Sequence, residues 1–183
     1  MSSRKTTKER LQQALDYLQI GQLDPAEKVY LDCIEDAIEN NVIYANLGAI
    51  YLMKQEWERA VFFLKKALFI QPKDSDALNN LAIAYKELKN YSEACDYAFK
   101  SIRVNPLYSN YYQTLALIYL DSGDIKNSIR YFNKVIELEP NSFKAYSFLG
   151  RAFKLQKNYS LAIKNYQKAL LIRPNHLDSI MGL

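Results

Sequence analysis

NVIYANLGAIYLMKQEWERAVFFLKKALFIQPKD, residues 41–74, is the stretch that the rest of the chain copies. Its first half carries Tyr44, Leu47, Gly48 and Tyr51, and its second carries Ala60, Leu64, Ala67 and Pro72. A shift of 34 residues meets the same kinds of side chain at Leu78, Leu81, Ala82, Tyr85, Ala94, Ala98, Ser101 and Pro106. The next shift meets Tyr112, Leu115, Ala116, Tyr119, Ser128, Phe132, Val135 and Pro140, and the last meets Tyr146, Leu149, Gly150, Phe153, Ala162, Tyr166, Ala169 and Pro174. A fixed period of this length marks an array whose unit cannot bury its own apolar face alone. The core is therefore expected to be a seam running along a stack, not a ball.

Within each copy, apolar residues recur three and four apart through two blocks, the pattern of paired amphipathic helices. Short polar joints separate the blocks at Gly21-Gln22, Gln55-Glu56, Lys89-Asn90, Gly123-Asp124 and Lys157-Asn158. Asn90, Asp124 and Asn158 read as caps for the second helix, with Asn90 and Glu93 as a capping box, and Asp24-Pro25 reads as a helix start. Pro72, Pro106, Pro140 and Pro174 stop the second helix, because proline is disfavoured in a helix interior. Small residues recur in the first helix at Gly48, Ala82, Ala116 and Gly150, and in the second at Ala60, Ala94, Ser128 and Ala162, so the hairpin is expected to close tightly there. Leu47, Leu81, Leu115 and Leu149 fill the seam beside them.

This spacing of aromatic, Leu, Gly or Ala, aromatic, then Ala and Pro resembles the tetratricopeptide repeat. The resemblance covers five copies, 7–40, 41–74, 75–108, 109–142 and 143–176, and implies an all-α, right-handed superhelical solenoid of helix-turn-helix hairpins. The first copy is degenerate, with Ile38 where later copies carry Pro; Ala98 stands where an aromatic is usual. Residues 1–6 form a basic start expected to fray, and 177–183 begin a sixth copy or form a capping helix. The apolar edge at that end suggests a piece of a longer protein, because arrays commonly close on a polar cap.

Composition narrows the function classes. No apolar run approaches the ~20 residues of a membrane span and no signal-type start is present, so the expected compartment is cytoplasmic and no membrane partner is expected. Cys33 and Cys95 lack a CxxC neighbour and read as small buried hydrophobes. The single histidine, His176, cannot build a triad or a His-rich metal site, and the glycines are too scattered for a phosphate loop. The reading is that the chain is not an enzyme and needs no cofactor or metal.

The resemblance implies that one face of the first helices lines a concave groove where peptides bind. Carried onto this sequence, the groove begins apolar at Leu11, Leu15, Leu18, Val42, Ala45, Ala49, Leu52 and Met53. It turns to amides and their neighbours at Asn46, Asp76, Asn79, Asn80, Ile83, Asn110, Gln113 and Thr114. It ends basic at Lys144, Ser147, Arg151 and Lys154. Asn46 and Asn80 share a repeat position, two rungs similar to the asparagine ladder of the O-linked N-acetylglucosamine transferase-like proteins. Residues 7–40 carry eight acidic and three basic side chains, net −5, whereas residues 143–176 carry seven basic and none acidic, net +7. The modest overall charge of +4 argues against nucleic acid as the main partner.

The chaperone adaptors of the family clamp a terminal carboxylate with a fixed set of Lys, Asn and Arg. No register of this chain supplies that set, since Leu11 and Leu15, Ala45 and Ala49, or Asn79 and Ile83 fall at its first two places. Three readings remain: a scaffold binding a partner peptide or protein in the groove, the substrate-recruiting region of a larger glycosyl- or sulfotransferase, or a module that self-associates head to tail. The seam assignment makes a prediction of its own. Leu81→Ala should destabilise the array by about 2–5 kcal/mol in urea unfolding, the range for a truncated core leucine.

Overall fold

Local sequence decides where each helix starts and stops, in the residues described by the structure, a computed structural model covering 6–36 and 40–183. Thr6 caps α1 (Thr7–Gln19): its hydroxyl accepts from the Glu9 N–H at 3.3 Å while Glu9 accepts from the Thr6 N–H at 2.7 Å. The chain start is thus tied down from Thr6 onward; residues 1–5, and Ile38 with them, lie outside the described residues. There follow α2 (Leu23–Glu35), α3 (Asn41–Met53), α4 (Trp57–Ile70), α5 (Ser75–Glu87) and α6 (Tyr91–Val104). The last five are α7 (Ser109–Asp121), α8 (Ile125–Leu138), α9 (Phe143–Leu155), α10 (Tyr159–Ile172) and α11 (Leu177–Gly182). No strand occurs among the described residues, and no helix there is long and apolar enough to cross a membrane.

Two cap assignments from the sequence need correction. Asn90 makes no side-chain cap bond, so the Asn90–Glu93 box does not form, although Asp124 and Asn158 do accept the expected N–H. Asp24 lies inside the first turn of α2, not at its cap, and is held by Lys54 instead. The joints between paired helices fall where the sequence places them, but their backbone shape was not legible. The first residue of the joint takes a left-handed backbone in every copy: Gly21, Gln55, Lys89, Gly123 and Lys157. In four of the five, the next N–H reaches back along the chain into the last turn, as Glu56 does to the Tyr51 carbonyl at 2.9 Å, closing the helix end with a Schellman pattern. Three of these positions hold a non-glycine residue, so the turn is imposed by the packing of the helices it joins.

Each hairpin closes on a few contacts. A Cβ built on Gly48 would lie 2.4 Å from Leu64, and one on Gly150 would lie 2.7 Å from the Tyr166 ring. The close approach is therefore glycine against a bulky second-helix residue, not small against small as the sequence pattern implied. Copies three and four use Ala82 and Ala116, which sit in clusters with Ala98 and Phe132 respectively. In the three middle hairpins a stacked ring pair repeats: Tyr51 on Phe63 at 5.2 Å, Tyr85 on Tyr97 at 5.7 Å and Tyr119 on Tyr131 at 5.6 Å. Leu47, Leu81, Leu115 and Leu149 are all buried, and the apolar clusters run on from hairpin to hairpin.

The stack curves because its two layers are spaced differently. Successive first helices α3, α5 and α7 touch one another, whereas no comparable contact joins successive second helices. The first helices form the inner layer and the second helices the outer one. Ser128 is fully buried in α8 with an unpartnered Oγ, at a place where Ala60, Ala94 and Ala162 stand in other copies. Ser128→Ala should therefore raise stability by about 1 kcal/mol, whereas Gly48→Ala should lower it by about 1–3 kcal/mol through overpacking, both read by denaturant unfolding.

Candidate partner-binding groove

The inner layer brings the three predicted zones onto first helices but does not leave all of their side chains available. In the apolar zone Leu15, Val42 and Met53 are exposed, Met53 by 62 %. Leu11, Leu18, Ala45 and Leu52 are half-buried and pack against the core, and Ala49 is half-buried too. This zone is thus a shallow surface with three projecting side chains.

The amide zone is wired to its own scaffold. The Asn46 side-chain amide donates to the Tyr30 hydroxyl at 2.8 Å, so this rung faces α2, and the two-rung ladder with Asn80 is not a free pair. Asp76 accepts from the Tyr111 hydroxyl at 2.7 Å, and burial together with that carboxylate pushes the Tyr111 phenol up to about 12. Asn110 donates to the Tyr108 hydroxyl at 3.2 Å. Asn79, Asn80, Ile83 and Gln113 are half-buried, the Asn79 Oδ1 has no partner, and Thr114 is buried. That oxygen is closed off from solvent, so it offers no acceptor to the groove.

The basic zone splits in two. Arg151 and Lys154 border a cavity of about 370 Å³ together with Phe148, Tyr166, Asp178 and Met181. Lys144 opens instead on a neighbouring hollow of about 340 Å³ with Phe143, Arg173 and His176. Ser147, 6 % exposed, is a packing residue more than a contact. Helix α11 forms the far wall of the first cavity, and its Gly182 lies against the Tyr166 ring so closely that a Cβ would sit 2.4 Å from it. The single carboxylate Asp178 borders both hollows, 3.8 Å from the His176 ring. Residues 177–183, read as the start of a sixth copy or a capping helix, were given no part in the groove, so this wall was missed from the sequence.

A polar cluster between the first two hairpins was also missed. Glu27 of α2 accepts from the Tyr51 hydroxyl and the Lys54 ammonium, which Asp24 also holds. Arg59 lies 3.9 Å over the Tyr51 ring and pairs with Glu56. Burial acts to raise the Glu27 carboxyl, but the bonds from Lys54 and Tyr51 outweigh it and hold it below the usual carboxylate range. Burial, with Glu27 accepting its proton, pushes Tyr51 up to about 12. Burial pushes both the Cys33 and Cys95 thiols up, which disfavours the nucleophilic thiolate.

Tetratricopeptide repeat family models match residues 63–96, 109–142 and 143–176, the last two in the register of the fourth and fifth copies. The chain belongs to the tetratricopeptide repeat family. Among solved structures it is similar to MamA, at 23 % identity over 90 % of this chain and 96 % of that one, with a TM-score of 0.78. It is similar to YrrB, described as a TPR protein with an unusual peptide-binding site, at 19 % identity over 94 % and 89 %, TM-score 0.75. It is also similar to TTC0263, a thermophilic TPR protein of Thermus thermophilus, at 18 % identity over 96 % of each chain, TM-score 0.78. No curated protein matches the sequence. At these identities the likeness is one of fold.

The Glu27 cluster ties the tetratricopeptide array's first hairpin to its second, and its sign with pH follows. A carboxyl held low in the folded state stabilises above its unfolded pKa and loses that contribution as pH falls through the folded value. Glu27→Gln should cost about 1–3 kcal/mol at neutral pH, the range for charge-assisted bonds, and should flatten the acid side of the stability curve below about pH 4. Fluorescence of Trp57, the single tryptophan, at the start of α4, reads this.

Proposed function

We propose that the chain is a non-catalytic scaffold that holds a partner protein or peptide along its inner layer. One observation carries this reading. The buried seam residues repeat from copy to copy, whereas the inner-layer residues left exposed change from Leu15, Val42 and Met53 at one end to Arg151 and Lys154 at the other. A face whose stacking role is already met elsewhere, and whose chemistry is graded, suits an extended segment that is apolar at one end and acidic at the other. Several modest contacts spread over the groove supply affinity in this mode, not one deep pocket.

A second reading, head-to-tail association of copies, is favoured by the charge separation of −5 in residues 7–40 against +7 in residues 143–176. A heterologous contact of that kind makes open chains or rings and weakens with salt. The groove reading is tested by partner capture followed by peptide mapping, with Arg151→Glu and Lys154→Glu made together. Both side chains are exposed, so melting should be unchanged while capture drops roughly tenfold or more. Unchanged capture removes the basic end from the site. Light scattering against concentration and salt tests the second reading, which requires a salt-sensitive oligomer.

A further inference from the structure

The outer layer carries charged or polar side chains at most of its outward positions, and α4 departs from that. Along its outward side, Phe62 is 54 % exposed and Phe69 is 90 % exposed, with Ile70 exposed beside them. At the two phenylalanine positions the other copies carry Lys28 and Glu35, Asp96 and Arg103, Arg130 and Glu137, and Lys164 and Leu171. Two aromatics among largely charged equivalents are not explained by stacking, because the seam of this hairpin is already filled by Leu64 and Ala67 on the opposite side of the same helix.

Phe62, Phe69 and Ile70 wall a hollow of about 400 Å³ floored by Tyr44 and rimmed by Lys65 and Lys66. The Lys66 ammonium stands 4.7 Å over the Phe62 ring and 5.4 Å over the Tyr44 ring, and Lys65 reaches toward Tyr85. The lining contains two cations and no carboxylate. We propose that this outer hollow is a docking site, separate from the inner groove, for a partner's helical segment that carries an aromatic or aliphatic anchor flanked by carboxylates. The hollow has room for one or two anchor side chains. The two ammonium groups, resting on rings, offer charge-assisted bonds to an occupant's acids at the rim.

The surroundings select this occupant over two others. An anionic bilayer needs a basic and apolar face of some breadth, but Asp32 and Glu35 on α2 and Asp96 on α6 stand at neighbouring outer positions and would be pressed against it. A second copy would have to bring an apolar segment with acids. The exposed apolar residues of α11 accompany one carboxylate, Asp178, and pack on the repeat of net charge +7, which the hollow's own lysines repel.

The test uses the full chain and three labelled peptides in fluorescence anisotropy: Glu with Phe and Leu at helical spacing, the same with Lys for Glu, and an all-polar Glu peptide. The apolar-acidic peptide should bind saturably and the other two should not. Phe62→Ser with Phe69→Ser should weaken it roughly tenfold or more, and Lys65→Gln with Lys66→Gln should weaken it less. Circular dichroism should be unchanged, since both rings are exposed. Arg151→Glu with Lys154→Glu should leave the affinity of Phe62/Phe69-dependent binding unaltered, which separates this site from the groove. The proposal is overturned if the phenylalanine variant binds as the parent does. It is equally overturned if anionic vesicles, not the peptide, compete for the hollow, or if light scattering shows an oligomer that the same variant dissolves.

Discussion

Everything in this molecule depends on the fit of one hairpin onto the next. Leu47, Leu81, Leu115 and Leu149 each have no solvent to face only because a neighbouring hairpin covers them, and Gly48 against Leu64 lets the paired helices close far enough for that cover to form. The repeat unit is too thin to shield such side chains alone, so stability is shared between intrinsic hairpin closure and the interface with the next copy. The stacked ring pairs in the three middle hairpins add to closure, and the first and fifth copies rely on other contacts. Between the first two copies the cluster of Glu27, Lys54, Tyr51 and Arg59 adds to the interface instead of to hairpin closure.

The same packing sets the division of labour between the two layers. Because α3, α5 and α7 touch one another and successive second helices make no comparable contact, the inner surface is crowded and the outer one is splayed. Crowding explains why Thr114 and Ser147, which lie on the groove side by register, are buried, and why Asn46 and Asp76 bond to tyrosines of neighbouring helices. What is left free on the inner layer is a sparse set of side chains with a gradient of chemistry. On the outer layer, side chains stand apart in water, so the aromatic wall of α4 is conspicuous against its largely charged equivalents.

Much of this was legible in advance for a simple reason. A stack repeats its burial geometry, so Leu81 and Ala94 had to recur as they do, and the helix ends before Pro72, Pro106, Pro140 and Pro174 followed from proline's backbone alone. The groove residues were legible as positions but not as available atoms. Whether Asn46 faces a ligand or Tyr30 depends on a contact between two helices, across sixteen residues of chain, which no local pattern contains. Asn90 shows the converse failure, since a residue with good cap chemistry makes no cap bond. The cavity beside Arg151 could not be seen because its far wall is α11, and where that short helix packs against α9 and α10 is a tertiary matter.

By itself, then, the sequence determined the all-α repeat architecture, its register and the seam, because each rests on a periodic demand that every copy must satisfy. The tertiary structure alone decided the left-handed joints at Gln55, Lys89 and Lys157, the wiring of the amide zone, the split of the basic stripe and the hollow beside Phe69. Those features arise where helices from different parts of the chain meet. There the distance between atoms is set by curvature and packing, not by the spacing of residues along the chain.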